Sequence, residues 1–204
     1  ATLTTLNGGT QNVAVGQSAA AAMTTGNQNT IIGTNAGDAL TDADYNTAMG
    51  YLALSADTLG SRSVAIGRTA LRDQNFTTAT DSNNVAIGYA AGASTTTGIK
   101  NVLIGAEAGD AITSGNSNIA LGYQALSADT LGDRNIAIGL QALATQNFTT
   151  STDAYNVAVG HQAGTAVTTG TLNTVIGGLS GLALTTGYQN TVLGYGALST
   201  EDTG

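Results

Sequence analysis

The chain has 204 residues, of which 9% are charged and 4% aromatic, with no proline, cysteine or tryptophan and a net charge of −8. So few large side chains exclude a broad globular core, and the absence of cysteine excludes disulfide staples. The five basic residues (Arg62, Arg68, Arg72, Lys100 and Arg134) form no cluster, which excludes a nucleic-acid partner, and no apolar run approaches the ~20 residues that a membrane-spanning helix needs.

A five-residue unit recurs along the whole chain. It reads Asn, then an aliphatic or Thr, then an aliphatic, then a large apolar residue, then Gly. Its closing glycines are Gly16, Gly33, Gly50, Gly67, Gly88, Gly105, Gly122, Gly139, Gly160, Gly177 and Gly194, with steps of 17, 17, 17, 21, 17, 17, 17, 21, 17 and 17 residues. A fixed short period means a stacked array in which each repeat contacts only its neighbours. The prediction is a single repeat domain over residues 1–204. It is an all-β stacked solenoid of about eleven 17-residue rungs, read as a segment of a longer array. With strands ~4.8 Å apart the rungs span roughly 50 Å.

We label the unit a to e, with glycine at e. Position b is always Val, Ile or Thr, and position d is always apolar, from Val15 through Met49 and Ile104 to Leu193. Alternation puts b and d on one face of a strand. Position c, on the other face, is also always apolar, from Ala14 through Ile31 and Leu103 to Val192. A strand apolar on both faces is buried on both, and one narrow coil has a single interior. The second face is expected to meet an identical chain, in a homo-oligomer.

A second short strand is expected after each glycine, centred on an alanine at e+3 (Ala19, Ala36, Ala53 and their equivalents), with Ser180 the exception. Position e+4 is Leu in some rungs and Gly in others. Where Leu is missing, an apolar residue often appears at e+7 (Leu40, Ile112, Val167 or Leu184, and Met23 after Ala20 in the first rung), so the two layouts read as alternative fillings of one core slot. Together they make a 72-residue superperiod, in which Gln74–Thr78 returns as Gln146–Thr150. The two 21-residue rungs carry Phe76 and Phe148 and are expected to bulge from one side. Gly26, Gly60, Gly98, Gly115, Gly132, Gly170 and Gly187 are read as the positive-φ residues of the closing turns. The stacked Asn at position a is expected to hydrogen-bond along the array.

The units Asn84-Val85-Ala86-Ile87-Gly88 and Asn135-Ile136-Ala137-Ile138-Gly139 resemble the head repeats of trimeric autotransporter adhesins of the YadA type. The longer Asn118-Ile119-Ala120-Leu121-Gly122-Tyr123-Gln124-Ala125-Leu126 is similar to repeats of phage tail fibres. The resemblance covers essentially the whole chain. It implies a left-handed parallel β-roll, a homotrimer of three chains wound about one axis on a cell or virion surface, extracellular, binding a host or matrix protein or a glycan.

No catalytic set is visible, and no enzyme is expected. The single His161 falls in the column that holds Tyr51, Tyr89, Tyr123 and Tyr195, which reads as a tolerant surface position. No cofactor is implied. Calcium is considered at Asp42, Asp44, Asp81 and Asp153, where solvated turn carboxylates are the simpler reading. The surface contacts considered are Phe76, Phe148, Tyr51, Tyr123 and Tyr195, with the two phenylalanines favoured as plugs of their bulges. The function expected is a structural fibre segment and adhesin. The alternatives are an ice-binding solenoid and the scaffold of a phage polysaccharide depolymerase.

Overall fold

The computed structural model describes residues 2, 3 and 5–200; Ala1, Thr4 and residues 201–204, with the Gly204 end of the array, lie outside it. It is all-β, with no helix among the described residues. Eleven three-residue strands hold the repeat units: β1 (Val13–Val15), β2 (Thr30–Ile32), β3 (Thr47–Met49), β5 (Val64–Ile66), β7 (Val85–Ile87), β8 (Val102–Ile104), β9 (Ile119–Leu121), β11 (Ile136–Ile138), β13 (Val157–Val159), β14 (Thr174–Ile176) and β15 (Thr191–Leu193). They form one parallel sheet in chain order, with every b, c and d residue in register with its counterpart in the next rung. The chain is a parallel β-solenoid of about eleven turns, as the period predicts.

The four remaining strands join each 21-residue rung to the 17-residue rung before it. β6 (Thr80–Asp81) pairs back on β4 (Gly60–Ser61), and β12 (Thr152–Asp153) pairs on β10 (Gly132–Asp133). The extra residues thus add a small second sheet at the same place in both superperiods.

Position c points inward. From Ile31 to Val175 it is at most 1% exposed, and the core is built from position c, the e+3 alanines and one residue at e+4 or e+7. Leu54, Leu71, Leu126 and Leu143 at e+4 lie in the same cluster as Leu40, Ile112, Val167 and Leu184 at e+7, so both layouts do fill one core. The exchange extends to position c. A Cβ on Gly109 would lie 2.7 Å from Leu103 and 2.9 Å from Ile112, which is why these two large residues go with glycine at e+4 of their rung.

The expected second strand after each glycine is absent. Residues e+2 and e+4 adopt left-handed φ throughout, for example Leu52 and Leu54 (φ 55° and 54°), Gln124 and Leu126 (53° and 54°), and Gln141 and Leu143 (55° and 50°). Alternating hands make a tight corner where a strand would run straight. A left-handed leucine costs ~1–2 kcal/mol, and burying its side chain returns ~1.5–3 kcal/mol, so the strained conformer is tolerated at these core positions.

The closing-turn glycines also differ from expectation. Gly26, Gly60, Gly98, Gly115, Gly132, Gly170 and Gly187 do not have positive φ; the residue before each Asn does, such as Tyr45 (60°), Lys100 (61°) and Arg134 (62°). What excludes a side chain at those glycines is close approach. A Cβ on Gly26 would meet the Ala43 carbonyl oxygen at 2.5 Å, and one on Gly115 would meet the Gly132 oxygen at the same distance.

Candidate interaction surface

With c inside, b and d face out. All 22 outward positions over the eleven rungs are Val, Ile, Leu, Met or Thr, and none is charged. They are half-buried or exposed: Met49 is 38% accessible, Ile119 37% and Leu121 42%. The strand is apolar on both faces, as the pattern predicts, but the face left uncovered is that of b and d. Position c holds alanine in seven rungs, and the small side chain suits the narrow interior.

Two columns border this face. Position e+1 carries Tyr51, Tyr89, Tyr123, His161 and Tyr195, all exposed, as the substitution pattern predicts. Tyr195 is the most open at 80%. The column before Asn carries Tyr45 and Tyr155, which stack under Arg62 and Arg134 at 5.1 and 5.4 Å. Phe76 and Phe148 are 7% and 5% exposed. They are plugs, so they leave the set of surface contacts considered from sequence.

Behind the face, polar ladders bind rung to rung. The Asn of each rung accepts at Oδ1 from the backbone N–H of the next Asn: Asn46 from Ser63 at 2.8 Å, and Asn84, Asn101 and Asn173 from Asn101, Asn118 and Asn190 at 2.9–3.0 Å. Its Nδ2 donates to the carbonyl of the next closing glycine, as from Asn84 to Gly98, Asn101 to Gly115 and Asn118 to Gly132 at 2.7–2.8 Å. Ser63, which replaces Asn in the fourth rung, is 2.6 Å from the Ser82 hydroxyl.

Sequence reasoning missed a threonine column at e+8. Thr24, Thr41, Thr96, Thr113 and Thr168 each donate the hydroxyl to the next rung's e+8 carbonyl at 3.1–3.2 Å, while Thr58 and Thr130 reach the Asn75 and Asn147 side chains at 3.1 and 3.0 Å. The 17-residue spacing holds the signal, interrupted by Asn in the 21-residue rungs. These hydroxyl donors serve the stack itself, so the threonine richness has a structural use.

A second missed feature lies inside. At e+7, Asp57 and Asp129 are fully buried. Asp57 Oδ1 accepts from the N–H of Gly60 and of Phe76, both at 3.0 Å, and Oδ2 accepts from Gln74 at 2.5 Å. Gln74 Oε1 in turn accepts from Asn84 at 2.8 Å. Asp129, Gln146 and Asn156 repeat the chain of contacts. Burial raises both carboxyls above the ordinary range, with the hydrogen bonds pulling the other way. Asp57 is therefore a core residue, while Glu107 accepts from Gln124 at 2.8 Å.

One buried hydroxyl in this column has no partner, that of Thr95. Its counterpart 72 residues on is Val167, also fully buried. Thr95→Val should therefore raise stability by ~1 kcal/mol, the cost of an unsatisfied buried hydroxyl, read as a higher urea midpoint. An unchanged or lower midpoint would show that the hydroxyl is paired.

Three of the four acidic residues weighed for calcium are engaged elsewhere, and Asp42 is exposed. Asp44 accepts from the Asn27 N–H at 2.7 Å, Asp81 pairs with Arg62 at 2.9 Å, and Asp153 pairs with Arg134. Among the described residues no group of three acidic or histidine side chains is placed to hold a metal, and no helix is long and apolar enough to cross a membrane. No protein-family model, no curated protein and no solved structure matches this chain.

Proposed function

We propose that this chain is one strand of a homotrimeric surface fibre, a left-handed β-roll that acts as spacer and adhesin on the outside of a cell or virion and attaches to a host or matrix protein or a glycan. The observation that carries this reading is the uncharged outward face of positions b and d. Two outward columns, each taking about 6.6 Å of strand at ~3.3 Å per residue, and ten rung steps of ~4.8 Å give a patch of about 600 Å². A monomer's largest apolar patch is ~300–600 Å², and one side of a standard interface is ~800 Å². A patch of that size, running the length of the array without a charge, is the kind that is covered. Identical parallel chains cover it best, because their rungs share its spacing.

The test is the mass in solution. Sedimentation should give three times the chain mass of 20.1 kDa. Ile104→Asp with Ile138→Asp, both on outward d positions, should release monomers whose circular dichroism is unchanged. A monodisperse wild-type monomer would sink the fibre, and a dimer would sink the threefold arrangement.

A further inference from the structure

On rungs two to five, positions d to e+2 hold Ile32-Gly33-Thr34-Asn35, Met49-Gly50-Tyr51-Leu52, Ile66-Gly67-Arg68-Thr69 and Ile87-Gly88-Tyr89-Ala90. Arg68 is the one charge among these sixteen residues. Its guanidinium carbon lies 5.8 Å from the Tyr51 ring centroid and 5.5 Å from that of Tyr89, and all three side chains are exposed. Arg62, Arg72 and Arg134 behave differently, each meeting a carboxylate, on Asp81, Asp73 and Asp153. Among the described residues Arg68 has no carboxylate partner, so this guanidinium is oriented by two rings and its donors face solvent.

We propose that Tyr51, Arg68 and Tyr89 form a binding site for an anionic glycan, a sugar chain bearing carboxylate or sulfate groups. The assignment rests on the adhesive reading above and names its ligand class. Stacking on the rings holds the guanidinium plane, so less side-chain freedom is lost when its fork takes a carboxylate or sulfate. The two tyrosines, two rungs apart at ~10 Å, offer apolar faces for sugar rings and hydroxyls for their polar rims. That places an extended ligand along the array. The chain's net charge of −8 opposes an anionic polymer at long range. Salt screens that repulsion beyond ~8 Å at physiological ionic strength, whereas the Arg68 contact is local and its patch holds no acid.

Binding to immobilised polygalacturonate, dextran sulfate and neutral dextran in 0.15 M salt tests the site on the intact protein. One or both anionic chains should bind and dextran should not; which of them binds identifies the anionic group. Arg68→Gln and Tyr89→Thr should each weaken binding at least tenfold. Both are expected to fold, because Gln17 and Thr34 occupy the same column, and an unchanged melting curve checks this. Arg62→Gln should leave binding within twofold. No binding to either anionic chain, equal binding to dextran, or an equal loss in Arg62→Gln would overturn the proposal. Sedimentation and attachment to host surfaces, measured on the same Arg68→Gln protein, separate the two readings. Attachment that persists in a protein with no glycan affinity removes the adhesive role of this site and leaves the fibre. A monomeric wild type removes the fibre whatever the glycan result.

Discussion

Gly105→Ala should destabilise the array by about 2–6 kcal/mol, with amide exchange accelerated at the neighbouring rung contacts Gly105 to Ile87 and Gly122 to Ile104. Two effects add. Gly105 sits at φ +132°, a conformation that costs an alanine ~1–3 kcal/mol. Its new Cβ would also lie 2.5 Å from the Gly122 carbonyl oxygen, 2.7 Å from its carbon and 3.2 Å from the Tyr123 nitrogen. All three are backbone atoms of the next rung, which cannot rotate away, and overpacking of this sort costs ~1–3 kcal/mol more. Gly194→Ala separates the terms. That glycine has a similar φ of +120°, but its Cβ would meet nothing closer than Ala197 at 4.0 Å. It should show the backbone cost alone. Equal losses in urea titrations of the two variants would mean that rung contact plays no part in the glycine requirement.

The same contact explains what was legible in the sequence. Stacking multiplies every local constraint by the number of rungs, so the strand residues, the Gly88 and Gly105 type of corner and the Asn84–Asn101–Asn118 column stand out as period 17. The direction of the strand was not legible. Positions b, c and d are all apolar, and pattern alone has no sign when neither face is polar. Only the small volume at c, alanine at 48, 65 and 86, hinted that this was the narrow inside. Nor were the turns legible. Left-handed φ falls on Tyr45, Lys100, Leu126 and Leu143, residue types with no preference for it, while the turn glycines such as Gly60 and Gly115 lack positive φ. Propensity was overridden by the inter-rung hydrogen bonds, such as Lys100 N–H to Ser82 carbonyl at 2.8 Å and Leu126 N–H to Ala142 carbonyl at 3.0 Å.

The candidate surface divides the same way. The tyrosine column was visible because e+1 varies freely, which is what exposure permits. The Arg68 sandwich was hidden, because Tyr51, Arg68 and Tyr89 are separated by 17 and 21 residues, and only the stack makes the two intervals equivalent. The buried Asp57–Gln74 pair was hidden for a different reason: aspartate in a Ser-Ala-Asp-Thr segment reads as a turn, and two of its three hydrogen bonds, from the Gln74 side chain and the Phe76 N–H, come from the 21-residue rung.

Asn101→Ala should cost about 2–5 kcal/mol, because it strands two buried backbone groups at ~1–3 kcal/mol each. Asn101 is fully buried. Its Nδ2 satisfies the Gly115 carbonyl at 2.8 Å, and its Oδ1 satisfies the Asn118 N–H at 2.9 Å. An alanine leaves both without a partner, and the loss falls on the junction between adjacent rungs, where a one-dimensional array has no alternative contact. Asn101→Asp distinguishes this from a packing defect. The carboxylate has nearly the same volume and can still accept from Asn118, but it turns an acceptor toward the Gly115 oxygen. Burial and that facing carbonyl both favour the protonated form, so the folded pKa of the new group lies above its unfolded value. A raised carboxyl pKa means that stability is retained below the unfolded pKa and lost as pH rises through the folded one. The aspartate variant should thus be more damaged at pH 7 than at pH 4, while the alanine variant shows no such difference between the two. Urea midpoints at both pH values measure it. If aspartate proves as stable as asparagine at pH 7, the Nδ2 bond to the next rung contributes nothing and the ladder is not what aligns the stack.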